Sequence, residues 1–167
     1  VWRALELHSM YLCKYKIEWA NDYLKEQQAI LAAYEGAIQL HHIGSTSVEG
    51  LYAKDCIDIL GVVTELEHVK NNIVNLENLS FNYKGDYGIE GREYFSKEKR
   101  KVHFHIFQTG NINIEKHLGF VRIMKSNPSL VEKLNRLKTD LERKYPLDKE
   151  LYQKEKVFFY DQIHKML

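Results

Sequence analysis

Apolar residues between positions 17 and 34 fall at Ile17, Trp19, Ala20, Tyr23, Leu24, Ile30, Leu31 and Tyr34, with polar residues between them. That spacing is mostly helical and predicts a helix with one buried stripe, stopped by Gly36. The period then shortens to two. "AIQLHHI" reads as a strand over 37–43, residues 44–53 as a loop, and "CIDILGVV" as a buried strand over 56–63. "TELEHVKNNIVNL" follows with Thr64 and Glu67 at capping-box spacing, which predicts a helix starting there.

The middle of the chain is strand-like. "LSFNY" and "REYFSK" flank the glycines of "KGDYGIEG", predicting a hairpin with a long connection, and "KVHFHIFQ" alternates as a further strand. Beyond Gly110 the pattern is helical: one helix over 113–126, a second over 128–145 with Pro128 in its first turn, and a third after an Asp148 cap. Leu130, Leu134, Leu137 and Leu141 share a face of the second, which marks it as a packing helix. No repeat, low-complexity run or linker intervenes. The expectation is a single α+β domain over 1–167, a mixed β-sheet with flanking helices and a helical C-terminal region.

Composition narrows the partners. A chain of 167 residues can bury a core without disulfides or metals. Lysine and arginine number 24 against 23 acidic residues, a formal charge of +1, so nucleic acid is not an expected partner on global charge. Cys13 and Cys56 lie far apart and outside any CxxC or Cys/His metal spacing. Cys56, beside Ile57 and Ile59, reads as a small hydrophobe, and no disulfide is expected. The first twenty residues carry charges throughout, unlike a signal peptide, and no apolar run approaches the ~20 residues of a membrane span. The expectation is a cytoplasmic protein with no membrane partner.

Candidate chemistry begins at "GSTS", Gly44 to Ser47. Glycine lets backbone approach a ligand, and neighbouring N–H and hydroxyl groups can cradle an anion, although small polar residues also fill ordinary turns. Asp58 follows on an apolar strand between Ile57 and Ile59. A carboxylate there needs a cation, a pairing or hydrogen bonds, so it is either functional or ties down loop N–H groups. Lys54 is placed to meet a phosphate as a point charge. Asp55 at the loop edge is expected to be solvated.

"HIGSTSVEGLYAKDCIDIL" closely resembles the signature of the GrpB family, H-I-G-S-T-S-V-P-G-L-x-A-K-P-x-I-D-I. "VHFHIFQTG", "LGFVRIMKSNP" and a C-terminal Tyr-x-x-x-Lys-x-x-Phe, met by Tyr152, Lys156 and Phe159, extend the resemblance over most of the chain. The family is similar to the DNA polymerase β-like nucleotidyltransferases. The resemblance therefore implies that fold, a Gly44–Ser45 turn for phosphate with Thr46, Ser47 and the motif residue His42 beside it, and Asp58 as a catalytic ligand of magnesium or manganese. It implies a nucleotide or other phosphorylated ligand, with metal-dependent nucleotidyl transfer as one outcome. The alternative is a catalytically inactive ligand-binding module, or a folding or interaction module with a protein partner. Lys138 and Lys156 are candidates for the cleft on the same ground.

Several positions depart from these patterns. The second carboxylate of a two-metal site belongs at position 60, which shares a face with 58 and is Leu60. The strand expected to supply a third ligand offers His103 and His105 instead of an acid. These histidines read as a hydrogen-bonded pair in a cleft, as phosphate contacts or proton carriers, or as a metal site with Asp58 or His42. His41, beside the motif histidine, is expected at the surface. Glu49 and Asp55 replace the motif prolines, and "FVRIMK" replaces the family's F-R-D-Y-L-R. Arg92, Lys97, Arg100 and Lys101 form either a solvated hairpin or the flank of an anionic ligand.

Overall fold

The first helix predicted by the pattern, α1, spans Glu18–Ala33 in the computed structural model, which describes residues 12–167. Trp19, Tyr23 and Ile30 are its buried residues. Ile17, Leu24 and Leu31 are largely exposed, so the stripe is narrower than the apolar count suggested. The Tyr34 N–H closes the last turn on Ile30 O, and Gly36 at φ +112° turns the chain away.

Five strands follow: β1 Gln39–Ile43, β2 Ile57–Val63, β3 Asn82–Tyr83, β4 Arg92–Lys97 and β5 Val102–Gln108. They form one mixed sheet in the order β1-β2-β5-β4-β3. β2 and β5 pair in parallel, and the other neighbours pair antiparallel. In register, Asp58 lies opposite Ile43 on one side and His103 on the other, and His103 opposite Ser96. Directly paired residues share a face, so Asp58, His103 and His105 lie together on one side of the sheet.

The other side is apolar. Ile57, Ile59, Phe104, Ile106 and Phe95 pack there against Trp19, Tyr23 and Ile30 of α1 and against Val69, Leu76 and Phe81. On the Asp58 side, Ile43, Leu60 and Phe107 are covered by Ile114 and Leu118. Those two belong to α3, Ile112–Ser126, the first of three C-terminal helices. It is followed by α4, Pro128–Lys144, and α5, Lys149–His164. A third cluster joins Val48 and Leu51 of the loop after β1 to Phe120, Met124, Leu134 and Phe159. The helices thus bury the apolar end of this face and anchor the loop, leaving the polar end of the face to a cavity.

Three predicted elements differ. Residues 64–76 do not form a helix capped by Thr64: a 3-10 segment, Leu66–Asn72, leads into a short α2, Ile73–Glu77, with no side-chain cap. Tertiary bonds decide this. Gln108 Oε1 accepts the Leu66 N–H at 3.0 Å, and buried Asn72 bonds both the N–H and C=O of Glu35 and the C=O of His68. "LSFNY" contributes two strand residues because Ser80 turns with φ +74°. Finally, α3 starts at Ile112, with Asn111 Oδ1 accepting the Asn113 N–H.

The predicted Asp148 cap forms on the Leu151 N–H, and Pro128 opens α4. Leu134 and Leu141 of α4 are buried and Leu130 and Leu137 pack at the edge, as the leucine face requires. Cys13 and Cys56 are both half-buried. Among the described residues no helix is long and apolar enough to cross a membrane.

Candidate functional site

At the end of β1 the backbone reaches Gly44, with φ +73° and ψ −172°, a combination that glycine alone adopts readily. The next three residues, Ser45–Ser47, form one 3-10 turn. Two of its hydroxyls maintain the loop. Ser47 Oγ donates to Gly44 O at 2.6 Å, and Thr46 Oγ, buried, bonds His42 Nε2 at 2.9 Å. Ser45 instead reaches other elements: its Oγ lies 2.8 Å from Lys138 Nζ of α4 and 3.4 Å from the Tyr160 hydroxyl of α5.

Ser45 and Thr46 line a cavity of about 270 Å³ with Lys54, Cys56, Asp58, His103, Lys138, Tyr152, Lys156 and Tyr160. The β2 strand supplies Asp58, and β5 supplies both histidines. His103 Nδ1 stands 3.6 Å from Asp58 Oδ1, and His105 Nε2 stands 3.3 Å from the same oxygen. Arg92 donates to His105 Nδ1 at 3.2 Å. That nitrogen is therefore the acceptor, and the ring proton sits on Nε2, aimed at Asp58.

The electrostatics follow from these contacts. Burial alone pushes the Asp58 carboxyl up, but the hydrogen bonds from His103 and His105 outweigh it and hold the group well below the carboxylate range. Its partner moves the other way. The hydrogen bond to Asp58 above all, then one to Cys56, pushes His103 up to about 10. Asp58 and His103 are thus an ion pair at neutral pH. Burial, with Lys54 nearby, lowers Lys156 to about 8, and burial with Lys156 and Lys54 holds Lys138 well below its usual range.

The expected site residues divide into two groups. Ser45, Thr46, Lys54, Asp58 and His103 meet at the cavity, with His105 behind Asp58. His42 is elsewhere: its neighbour Ile43 pairs with Asp58, so His42 faces the opposite side of the sheet. There its ring stacks on Tyr23 at 4.7 Å, and burial lowers it to about 4. It positions the loop through Thr46. His41 is half-buried, not a surface residue.

Three members of the basic cluster are paired within the fold, and Lys101 is exposed. Arg92 is buried and donates to Asp86 O and Tyr87 O, Lys97 pairs with Glu26, and Arg100 pairs with Asp22 and Asp55. Asp55 is exposed, as expected at the loop edge, and also accepts from Trp19 Nε1.

Tyr152 and Tyr160 are cavity residues that sequence reading did not assign to the cleft, and Cys56, expected as a small hydrophobe, also lines it beside His103. Tyr152, Lys156 and Tyr160 recur every four residues along α5, one face of a helix, and that spacing is the signal.

A divalent metal fits these residues poorly. Leu60 is fully buried beneath α3 at the position of a second carboxylate. Asp58 already accepts from His105 and pairs with His103, and three lysines share its cavity. Among the described residues no group of three His, Cys, Asp or Glu side chains is arranged to hold a metal ion.

A family model described as "GrpB protein" matches residues 9–166. The chain is 33% identical over 135 residues to UPF0157 protein YqkA of Bacillus subtilis, covering 79% of this chain and 39% of that protein. It is 31% identical over 131 residues to Glutamate-rich protein GrpB of Alkalihalophilus pseudofirmus, covering 74% and 75%. The chain spans well under half of YqkA and 58% of UPF0157 protein SCO7215 of Streptomyces coelicolor.

Among solved structures, the conserved protein GrpB from Enterococcus faecalis superposes with a TM-score of 0.86 at 33% identity, over 93% of this chain and 95% of that one. The Cid1 poly(U) polymerase with bound MgGTP superposes at 0.56 and 15% identity, over 84% and 46%, a likeness of fold alone. The fold is therefore nucleotidyltransferase-like, and the chain belongs to the GrpB family.

Proposed function

We propose that this chain binds a phosphorylated small molecule, such as a nucleotide, at the Ser45 turn, through ammonium and hydroxyl groups without a bridging metal. The observation that carries this reading is the charge balance of the cavity. Asp58 is paired with His103, while Lys54 and Lys156 line the same walls and Lys138 lies buried against Ser45. A surplus of cations in a partly desolvated pocket attracts an anion and repels a divalent cation. The Ser45, Tyr152 and Tyr160 hydroxyls supply donors for phosphate oxygens.

There is room beyond one phosphate. A second depression of about 490 Å³ shares Lys54, Cys56 and His103 with the first and adds Lys99, Lys101 and Lys149. A second reading, metal-dependent nucleotidyl transfer, is favoured by the nucleotidyltransferase-like fold and by Asp58 beside the Gly44–Ser45 turn. Calorimetric titration with inorganic phosphate and the four ribonucleoside triphosphates, in EDTA and then with magnesium or manganese, separates the two.

Binding in EDTA, weakened by about 1.5–3 kcal/mol in Ser45→Ala, is the expected result. Binding that needs the metal and disappears in Asp58→Asn would establish the second reading instead. No binding under either condition would overturn both and turn attention to a protein partner.

A further inference from the structure

We propose that Ser45 is a nucleophile and Lys138 its general base, so that the site can carry a phosphoryl group covalently on Ser45 Oγ. The choice of phosphorus as the electrophile rests on the phosphate-binding reading above; the nucleophile–base pair rests on its own geometry.

Lys138 is 3% exposed, on the buried face of α4 beside Leu134 and Leu141. Its Nζ makes two polar contacts, with Tyr52 O at 2.7 Å and Ser45 Oγ at 2.8 Å. An ammonium has three protons to place, whereas a neutral amine has two and a lone pair. With Tyr52 O taking one N–H, a neutral Lys138 can direct its lone pair at the Ser45 hydroxyl proton. The serine lone pairs then face the cavity.

The surroundings favour the neutral amine. The groups bearing on Nζ are the Ser45 hydroxyl, the Tyr52 carbonyl, the ammoniums of Lys54 and Lys156, and Asp58. Burial and the two lysines lower Lys138, and Asp58 alone opposes them, already paired with His103. A desolvated lysine beside other cations is one recognised way to obtain a basic amine at neutral pH, and serine–lysine pairs are an established variant of the nucleophile–base arrangement. The Tyr160 hydroxyl, 3.4 Å from Ser45 Oγ, flanks the same oxygen.

With a phosphate ester or anhydride as donor, the Oγ–P bond forms as the bond from phosphorus to the leaving oxygen breaks. That oxygen departs with the electron pair, and the serine proton moves to Lys138 Nζ. A purely structural tie between Lys138 and Ser45 predicts no such reactivity.

The test uses a fluorophosphonate probe on the intact protein. Here the Oγ–P bond forms, the P–F bond breaks, fluoride leaves with the bonding pair and Lys138 receives the proton. Peptide mass spectrometry is expected to place the adduct on Ser45. Its rate should rise with pH and level off below the ordinary lysine range of about 10.4.

Lys138→Met and Lys138→Arg should both slow labelling by about 100-fold or more, since arginine keeps a charge but cannot act as a base. No adduct on Ser45, or a Lys138→Arg rate equal to wild type, would overturn the proposal. If neither variant folds by circular dichroism, the wild-type profile decides: a rate still climbing through pH 10 would overturn it. Phosphate titration of the same samples keeps the two readings apart. Labelling without phosphate affinity removes the phosphate reading alone, and affinity without labelling removes the nucleophile alone.

Discussion

Gly44 and Asp58 meet so closely that a Cβ on the glycine would stand 2.8 Å from Asp58 Oδ2 and 3.2 Å from Asp58 Cβ. The loop and the strand carboxylate are therefore fitted to each other, and the glycine serves packing as well as any ligand. Gly44→Ala should cost about 1–3 kcal/mol from backbone strain alone, and the contact with Asp58 adds to it. Urea unfolding measures this, and a midpoint within error of wild type would contradict the loop conformation.

The Asp58–His103 pair sets a pH window. His103, raised from 6.5 to about 10, contributes stability that is fully present below about pH 6.5 and lost as pH rises toward 10. Asp58, lowered from its ordinary 3.8, contributes stability present above about pH 4 and lost on further acidification. Asp58→Asn should therefore lose most stability relative to wild type between about pH 4 and 6.5, with the gap narrowing by pH 10. Thermal melts across that range test it, and a gap that widens with pH would be the wrong sign.

Lys156 gives anion binding its own pH dependence. The group is lowered to about 8, so its positive charge is lost as pH rises through that value. Sulfate, which does not itself titrate there, should bind progressively more weakly above pH 8. In Lys156→Met the affinity should be lower at pH 7 and the slope near pH 8 gone. An unchanged slope in the variant would remove Lys156 from the anion site.

His42 acts through the loop. His42→Phe preserves an aromatic ring against Tyr23 but leaves the buried Thr46 hydroxyl without its His42 partner, at a cost of about 1–3 kcal/mol. Because His42 is lowered from 6.5 to about 4, its neutral burial favours folding above pH 6.5, an advantage lost as pH falls toward 4. The variant should be less sensitive to acid over that interval. Sulfate affinity should fall less than in Ser45→Ala, and a larger fall would give His42 a direct part in binding.

The sequence by itself determined the elements whose signals are local. The strands around Asp58, His103 and His105, the Asp148 cap, the Pro128 start and the glycine turn all follow from side-chain periodicity or backbone preference within a few residues. The same parity put His103 and His105 on one side of their strand, because residues two apart share a face, whereas strand register set Asp58 beside them.

Tertiary structure decided which groups complete the site. Lys138 lies 93 positions from Ser45, and Tyr160 lies 115. Only the packing of α4 and α5 over the loop at Val48 and Leu51 brings them together. The same holds where local signals failed: Thr64 lost its capping role to bonds made by Gln108 and Asn72, and His42 faces away from Asp58 because of strand register. A polar group's partner is set by where its desolvation cost is met, and here the nearest acceptor in space is far along the chain.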